Sequence, residues 1–174
     1  HVVGILDEQS DLARFSDRIT TLGFIDWRQL PAEIRKCDIN LAPLAQKSIF
    51  NKAKSEIKWL EASLVKTVTV ASDFGAFNTE INNGVTGIWV DDDTQWLSKI
   101  EALILDSEKR NKVAEAAYED VIARRTTLSS GKSFADWLKK IFSKNVAFVI
   151  PSGEISGGVN VVLKHADILR KHGY

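Results

Sequence analysis

The sequence predicts an α/β fold, a mainly parallel sheet with helices on both faces. Three observations carry this. Short apolar runs at residues 2–6, 19–25, 38–41, 67–71 and 87–90 alternate with helical stretches at 27–36, 54–64, 94–105 and 108–125. Such alternation is the mark of strand–helix crossover units, which parallel pairing requires. Residues 67–71, Thr-Val-Thr-Val-Ala, are β-branched and apolar on both sides, as in a strand covered on both faces. A glycine turn, Ser72-Asp-Phe-Gly75, follows that strand, where open parallel sheets hold ligands.

Taken in order, residues 2–6 read as a strand, 12–17 as a short helix and 19–25 as a second strand with Gly23 inside it. Residues 27–36 form a helix that tolerates Pro31 in its first turn. Residues 38–41 are a strand ending at Pro43, and 44–51 a loop of the kind that carries ligand contacts. The helix 54–64 has two faces. Ile57, Leu60 and Leu64 point inward, and Lys54, Lys58 and Glu61 share another side. Residues 75–82 form a helix stopped by Asn83-Gly84, and 87–90 a short strand. Asp91–Asp93 resembles a metal cluster, but Asp93 serves better as N-cap of helix 94–105, so no metal site is assigned. Trp96 reads as packing. Helix 108–125 turns Val113, Ala117 and Val121 inward.

Composition places the chain among ordinary globular domains: 174 residues, 44% hydrophobic and 26% charged, enough for one core. Lys+Arg and Asp+Glu are both 23, so neither nucleic acid nor an acidic membrane is called for. Cys37 is alone and is expected to be buried; a reducing, cytoplasmic setting fits. No apolar run reaches the length of a transmembrane span. Methionine is absent and the chain opens inside a strand, so the sequence reads as part of a longer polypeptide.

On residue type alone, Lys54, Lys58 and Glu61 admit two readings. Cations and free N–H groups at a helix start suit an anion, and a carboxylate two turns on accepts from hydroxyls. Alternatively the helix is solvated, with a weak Lys58–Glu61 pair.

A series of motifs resembles one family over residues 2–121. It comprises Asp38-Ile-Asn-Leu-Ala-Pro-Leu44, Lys54-Ser-Glu-Ile-Lys-Trp-Leu-Glu-Ala62, residues 68–72, Gly75, Glu80, Ile81, Gly84, Thr86, Gly87 and Trp96. In order and spacing it resembles the C-terminal domain of a retaining GT-B glycosyltransferase of group 1, the family-4-like enzymes that include sucrose and glycogen synthases. The resemblance implies a Rossmann-like half of a GT-B fold. It also implies transfer of a sugar from a nucleotide-diphosphate sugar to an acceptor glycan or other hydroxyl compound, as in polysaccharide biosynthesis, with no metal and no further cofactor.

Residue by residue, it implies that Glu61 binds the donor ribose and that Lys54 and the Ser55 amide meet its phosphates or sugar, with Lys58 beside them. Phe74 and Gly75 lie near the donor. The loop at Phe24, Ile25 and Asp26 lies beside the base, although Phe24 reads equally as core. The family's first glutamate falls at Ala53, which puts the usual sugar contact in doubt. A non-catalytic scaffold or partner-binding module is therefore the alternative. A receiver-type signalling domain is disfavoured, because no aspartate closes an early strand beside an acidic pair.

The C-terminal region divides the chain into residues 1–143 and 144–174. Residues 126–132 are polar and read as a break and a hinge, followed by an amphipathic helix with Phe134, Trp137, Leu138, Ile141 and Phe142. Residues 146–150, the Gly157-Gly158 pair and helix 159–172 resemble the opening strand, phosphate loop and helix of a GT-B N-terminal domain, as at a boundary between tandem modules. Tight packing is the other reading of the glycines. The 146–174 tail is expected to dock on the main sheet, within the chain or in a swapped homodimer. His165 is expected at the surface.

Overall fold

The computed structural model describes residues 1–4, 11–44, 48–141, 147–148 and 157–173. It divides into two compact units, His1–Tyr118 and Glu119–Tyr174.

In the first unit, β1 (Val2–Val3) pairs in parallel with β2 (Thr21–Leu22). Between them Asp11–Arg18 is a 3₁₀ helix interrupted at Phe15, where a short helix was expected. The second sheet has the order β3 (Ile39–Ala42), β4 (Val68–Ser72), β5 (Ile88–Val90), all parallel. Ile39 pairs with Val68, and Val70 with Ile88. The connections supply α1 (Leu30–Ile34), α2 (Ile49–Lys52), α3 (Ile57–Leu64), α4 (Ala76–Glu80), α5 (Trp96–Leu105) and α6 (Ser107–Arg124).

The α/β parallel architecture is as predicted. Alternate residues of β4 face opposite layers. Val68 and Val70 join Ile88, Val90, Leu103, Val113 and Ala114 in one core, with Trp96 and Ile100 against it. Thr69 turns to the other face, where the Asn40 amide donates to its hydroxyl and to the Lys58 carbonyl, at 3.0 and 3.1 Å.

Three local expectations are corrected. The loop 44–51 contains α2, capped by Ser48, whose hydroxyl accepts from the Asn51 amide at 3.2 Å. Helix α3 begins at Ile57 rather than Lys54, and its inward residues are Trp59, Ala62 and Ser63, while Ile57 and Leu64 are half exposed. The cause is Trp59: its indole needs both an apolar pocket and an acceptor, which outweighs two aliphatic side chains. Asp92, not Asp93, caps the helical stretch that follows β5, accepting from the Thr94 amide and hydroxyl at 2.8 Å each.

In the second unit α7 (Thr127–Ile141) is continuous through Ser129-Ser-Gly131, so the expected hinge is helical. Thr126 starts it by accepting from the Ser129 amide at 3.1 Å. Gly131 is buried because α8 (Gly157–Lys171) crosses there; a Cβ would meet Ile168 Cδ1 at 2.6 Å. Leu169 packs with Ala135 and Leu138 of α7. His165 is half-buried rather than on the surface, edge-on to Phe134 with centroids 6.0 Å apart. Gly157 and Gly158 lie in the first turn of α8. The proposed strand 146–150 lies mostly outside the described residues; 147–148 belong to no strand.

Candidate functional site

The C-terminal ends of β3 and β4 converge on one edge. The Ser72 hydroxyl accepts from the Leu44 amide at 2.9 Å, tying the chain after β3 to the turn after β4. The Asp73 amide donates to Val90 O at 2.8 Å, drawing β5 to the same place. Gly75 has φ 63° and ψ −136°, and a Cβ there would lie 3.4 Å from Asn51 O and from Lys52 Cα and O. The turn after β4 and the backbone of α2 are thus in close approach, which a glycine permits and a side chain crowds.

Lys54 and Ser55 follow α2 on this edge and precede α3. The Lys54 amide donates to Asn51 O at 3.3 Å, and its ammonium sits 5.0 Å from the Phe50 ring centroid. Ser55 is exposed. Because α3 begins two residues after Ser55, the Ser55 amide is not one of that helix's free N–H groups; those belong to Ile57 and its neighbours. Lys58 is exposed in the first turn of α3. Phe74 and Gly75 are half-buried.

Glu61 is half-buried, and burial pushes its carboxyl above the ordinary carboxylate range. It makes no ion pair among the described residues, so the weak Lys58–Glu61 pair does not form. A partly desolvated carboxylate without a cation partner accepts strongly from a hydroxyl.

Ile25 is half-buried, whereas Phe24 is 86% exposed, so the core reading of Phe24 fails. Asp26 is occupied locally, accepting from the Arg28 amide at 2.8 Å. Gly157 and Gly158 belong to the second unit.

The Gly84–Gly87 motif has a structural task. Gly84 (φ 79°) turns the chain, the Thr86 hydroxyl accepts from the Asn82 amide at 2.9 Å, and the Thr86 carbonyl receives the Trp59 indole at 2.8 Å. This bond orients α3, and sequence reasoning missed it. The signal was a tryptophan at the centre of a helix otherwise lined by aliphatic residues.

A groove of about 510 Å³ lies at the opposite edge, where β3 and β4 begin. None of the residues expected to hold the donor lines it. Cys37 does, half-buried rather than in the core. Among the described residues no group of acids, histidines and cysteines could hold a metal ion, and no helix is long and apolar enough to cross a membrane.

The C-terminal ends of the parallel strands, with the glycine turn after β4 in close approach to α2, belong to an α/β architecture in which ligands are ordinarily received at that edge. The chain belongs to the family described as Glycosyl transferases group 1, whose profile matches residues 1–106. No curated protein matches the sequence. Among solved structures, it is similar to the C-terminal domain of a glycosyl transferase group 1 family protein, LpcC, from Francisella tularensis. Identity is 28% and the TM-score 0.52, over 64% of this chain and 56% of that one. It also shares its fold with Anabaena Alr3699/HepE crystallised with UDP and glucose, at 21% identity and TM-score 0.63, over 75% of this chain and 35% of that one. The HepE structure with UDP-glucose gives 20% identity and TM-score 0.62. The chain thus spans about a third of the length of HepE.

Proposed function

We propose that this chain is the donor-binding, C-terminal part of a retaining GT-B glycosyltransferase. The whole protein would transfer a hexosyl group from a nucleotide-diphosphate sugar to an acceptor hydroxyl. The observation that carries the reading is the family match over residues 1–106, which contains every residue assigned to the donor. The HepE structures, which hold UDP or UDP-glucose, and the C-terminal-domain likeness to LpcC support it.

In this reading Glu61 accepts hydrogen bonds from the ribose hydroxyls. Lys54 and Lys58 offset the charge of the departing diphosphate, and Gly75 lets the ligand approach the backbone. Phe74 and Ile25 supply apolar contact. Catalysis then rests on positioning and on electrostatic stabilisation of the leaving group. The acceptor is held by parts of the protein outside this chain, so the chain alone is inactive.

Calorimetric titration of UDP, GDP and ADP tests this. One nucleotide should bind with Kd of roughly 0.1–1 mM, as expected of half a site. Glu61→Ala should weaken binding, and Lys164→Ala on α8 should not. Equal effects would mean nonspecific binding. Absence of any binding would favour the non-catalytic scaffold, for which the observation is Ala53. It sits exposed at the end of α2, where the family carries a carboxylate.

A further inference from the structure

The groove of about 510 Å³ at the start of β3 and β4 is large enough for a small metabolite. Arg35, Lys66 and Arg110 line it, with Asp38, Asn111 and the Tyr118 ring. Arg110 is anchored by donation from Nη1 to Leu103 O at 2.7 Å, while Nη2 reaches Asp38 only at 3.5 Å. The Arg35 side chain makes no hydrogen bond or ion pair among the described residues.

Lys66 supplies a second observation. Its φ is 57°, and among the described residues it is the one non-glycine in the left-handed region. It directly follows the C-cap of α3, a place where glycine is the ordinary choice. Its ammonium forms an ion pair with the Glu115 carboxylate at 2.8 Å and lies 4.7 Å from the centroid of the Tyr118 ring, which lines the groove. The ends of α1 and α3 favour a nearby cation. Arg110 meets the same need at the end of α5, through Leu103 O and Ile104 O, but neither helix end accounts for a lysine in a conformation that suits glycine.

We propose that this groove binds the phosphate monoester of a small hydroxylated molecule. The unpartnered Arg35 guanidinium matches phosphate oxygens in bidentate fashion, with Arg110, held by Leu103 O and Asp38, and Lys66, paired with Glu115, contributing positive charge beside it. Asp38, exposed, and Asn111 take the hydroxyls of the ligand. The site lies at the edge opposite the donor residues and does not depend on the glycosyltransferase reading.

The test is titration of the 174-residue chain with ribose 5-phosphate, inorganic phosphate and ribose, with UDP titrated in parallel. Ribose 5-phosphate should saturate, binding more tightly than inorganic phosphate, and ribose should not bind. Arg35→Ala should weaken ribose 5-phosphate about tenfold, the scale of one charge-assisted hydrogen bond, and leave UDP affinity unchanged. Lys66→Gly, which relieves the backbone, should keep the fold by circular dichroism and still lose affinity. Absence of saturation, equal affinity for inorganic phosphate, displacement by UDP, or indifference to both variants would overturn the proposal.

Discussion

The indole nitrogen of Trp59 donates to the main-chain carbonyl of Thr86 across 2.8 Å, with both residues buried. This bond fixes the rotation of α3 against the turn before β5. It leaves Ile57 and Leu64 half exposed and determines where Lys58 and Glu61 sit. Trp59→Phe should therefore cost about 2–4 kcal/mol, combining lost volume with an unpaired buried carbonyl. Urea unfolding measures it. A loss below about 1 kcal/mol would mean that water or relaxation replaces the bond readily. Nucleotide affinity should fall in the same variant.

Glu61 gives a pH signature. Burial raises its folded-state carboxyl above the ordinary value of 4.5, so ionisation costs the native state stability. That cost is present above the folded pKa and disappears as pH falls toward the unfolded value. Glu61→Gln should be the more stable protein at neutral pH, and the two urea midpoints should converge on acidification through that window. A gap that widens on acidification would contradict the assignment. If the donor-binding proposal holds, affinity for whichever nucleotide binds should drop several-fold in the variant, since a charge-assisted acceptor becomes a neutral one.

Two glycines should respond oppositely to alanine. Gly75 combines φ 63° with backbone neighbours at 3.4 Å, so Gly75→Ala should cost about 1–3 kcal/mol and displace Asn51 and Lys52. Gly158 is helical with nothing within 4 Å of an added Cβ, so Gly158→Ala should stabilise by up to about 1 kcal/mol. Thermal unfolding distinguishes them.

The Asp92 cap predicts behaviour in acid. Hydrogen bonds from the Thr94 amide and hydroxyl hold its carboxyl below the ordinary range. Its contribution is present above the unfolded pKa and lost as pH falls through the lowered folded value. Asp92→Ala should speed exchange of the Thr94 amide, in the turn that leads into α5, at neutral pH and change little in strong acid. Asp92→Asn, which keeps the acceptor, should resemble the parent.

Much of the fold was legible because it rests on local patterns. The β-branched run through Val68 and Val70, the stripe of Val113, Ala117 and Val121, and the Asn83-Gly84 stop are each visible within a few residues. All three stripe residues are buried as expected. For the candidate site the sequence offered residue types, whereas the close approach of Gly75 to α2 and the half-burial of Glu61 are geometry that no local pattern carries. Period alone put Ile57 and Leu64 inside, because it cannot weigh one indole with a distant acceptor against two aliphatic side chains. The polar Ser129-Ser-Gly131 looked like a break for a similar reason. What keeps it helical is Thr126 before it, and what selects its glycine is Ile168 from another helix.

The sequence by itself determined the α/β class, the parallel pairing of strands and the family, because periodicity, β-branching and motif order are properties of neighbours along the chain. Only the tertiary structure decided the rotation of α3, the start of that helix after Ser55, the closeness of Gly75 to α2, and the groove of Arg35, Lys66 and Arg110. Each depends on groups far apart in sequence that share one volume or one hydrogen bond. Trp59 and Thr86 are 27 residues apart and Arg110 and Asp38 are 72 apart, and no local pattern records such a pairing.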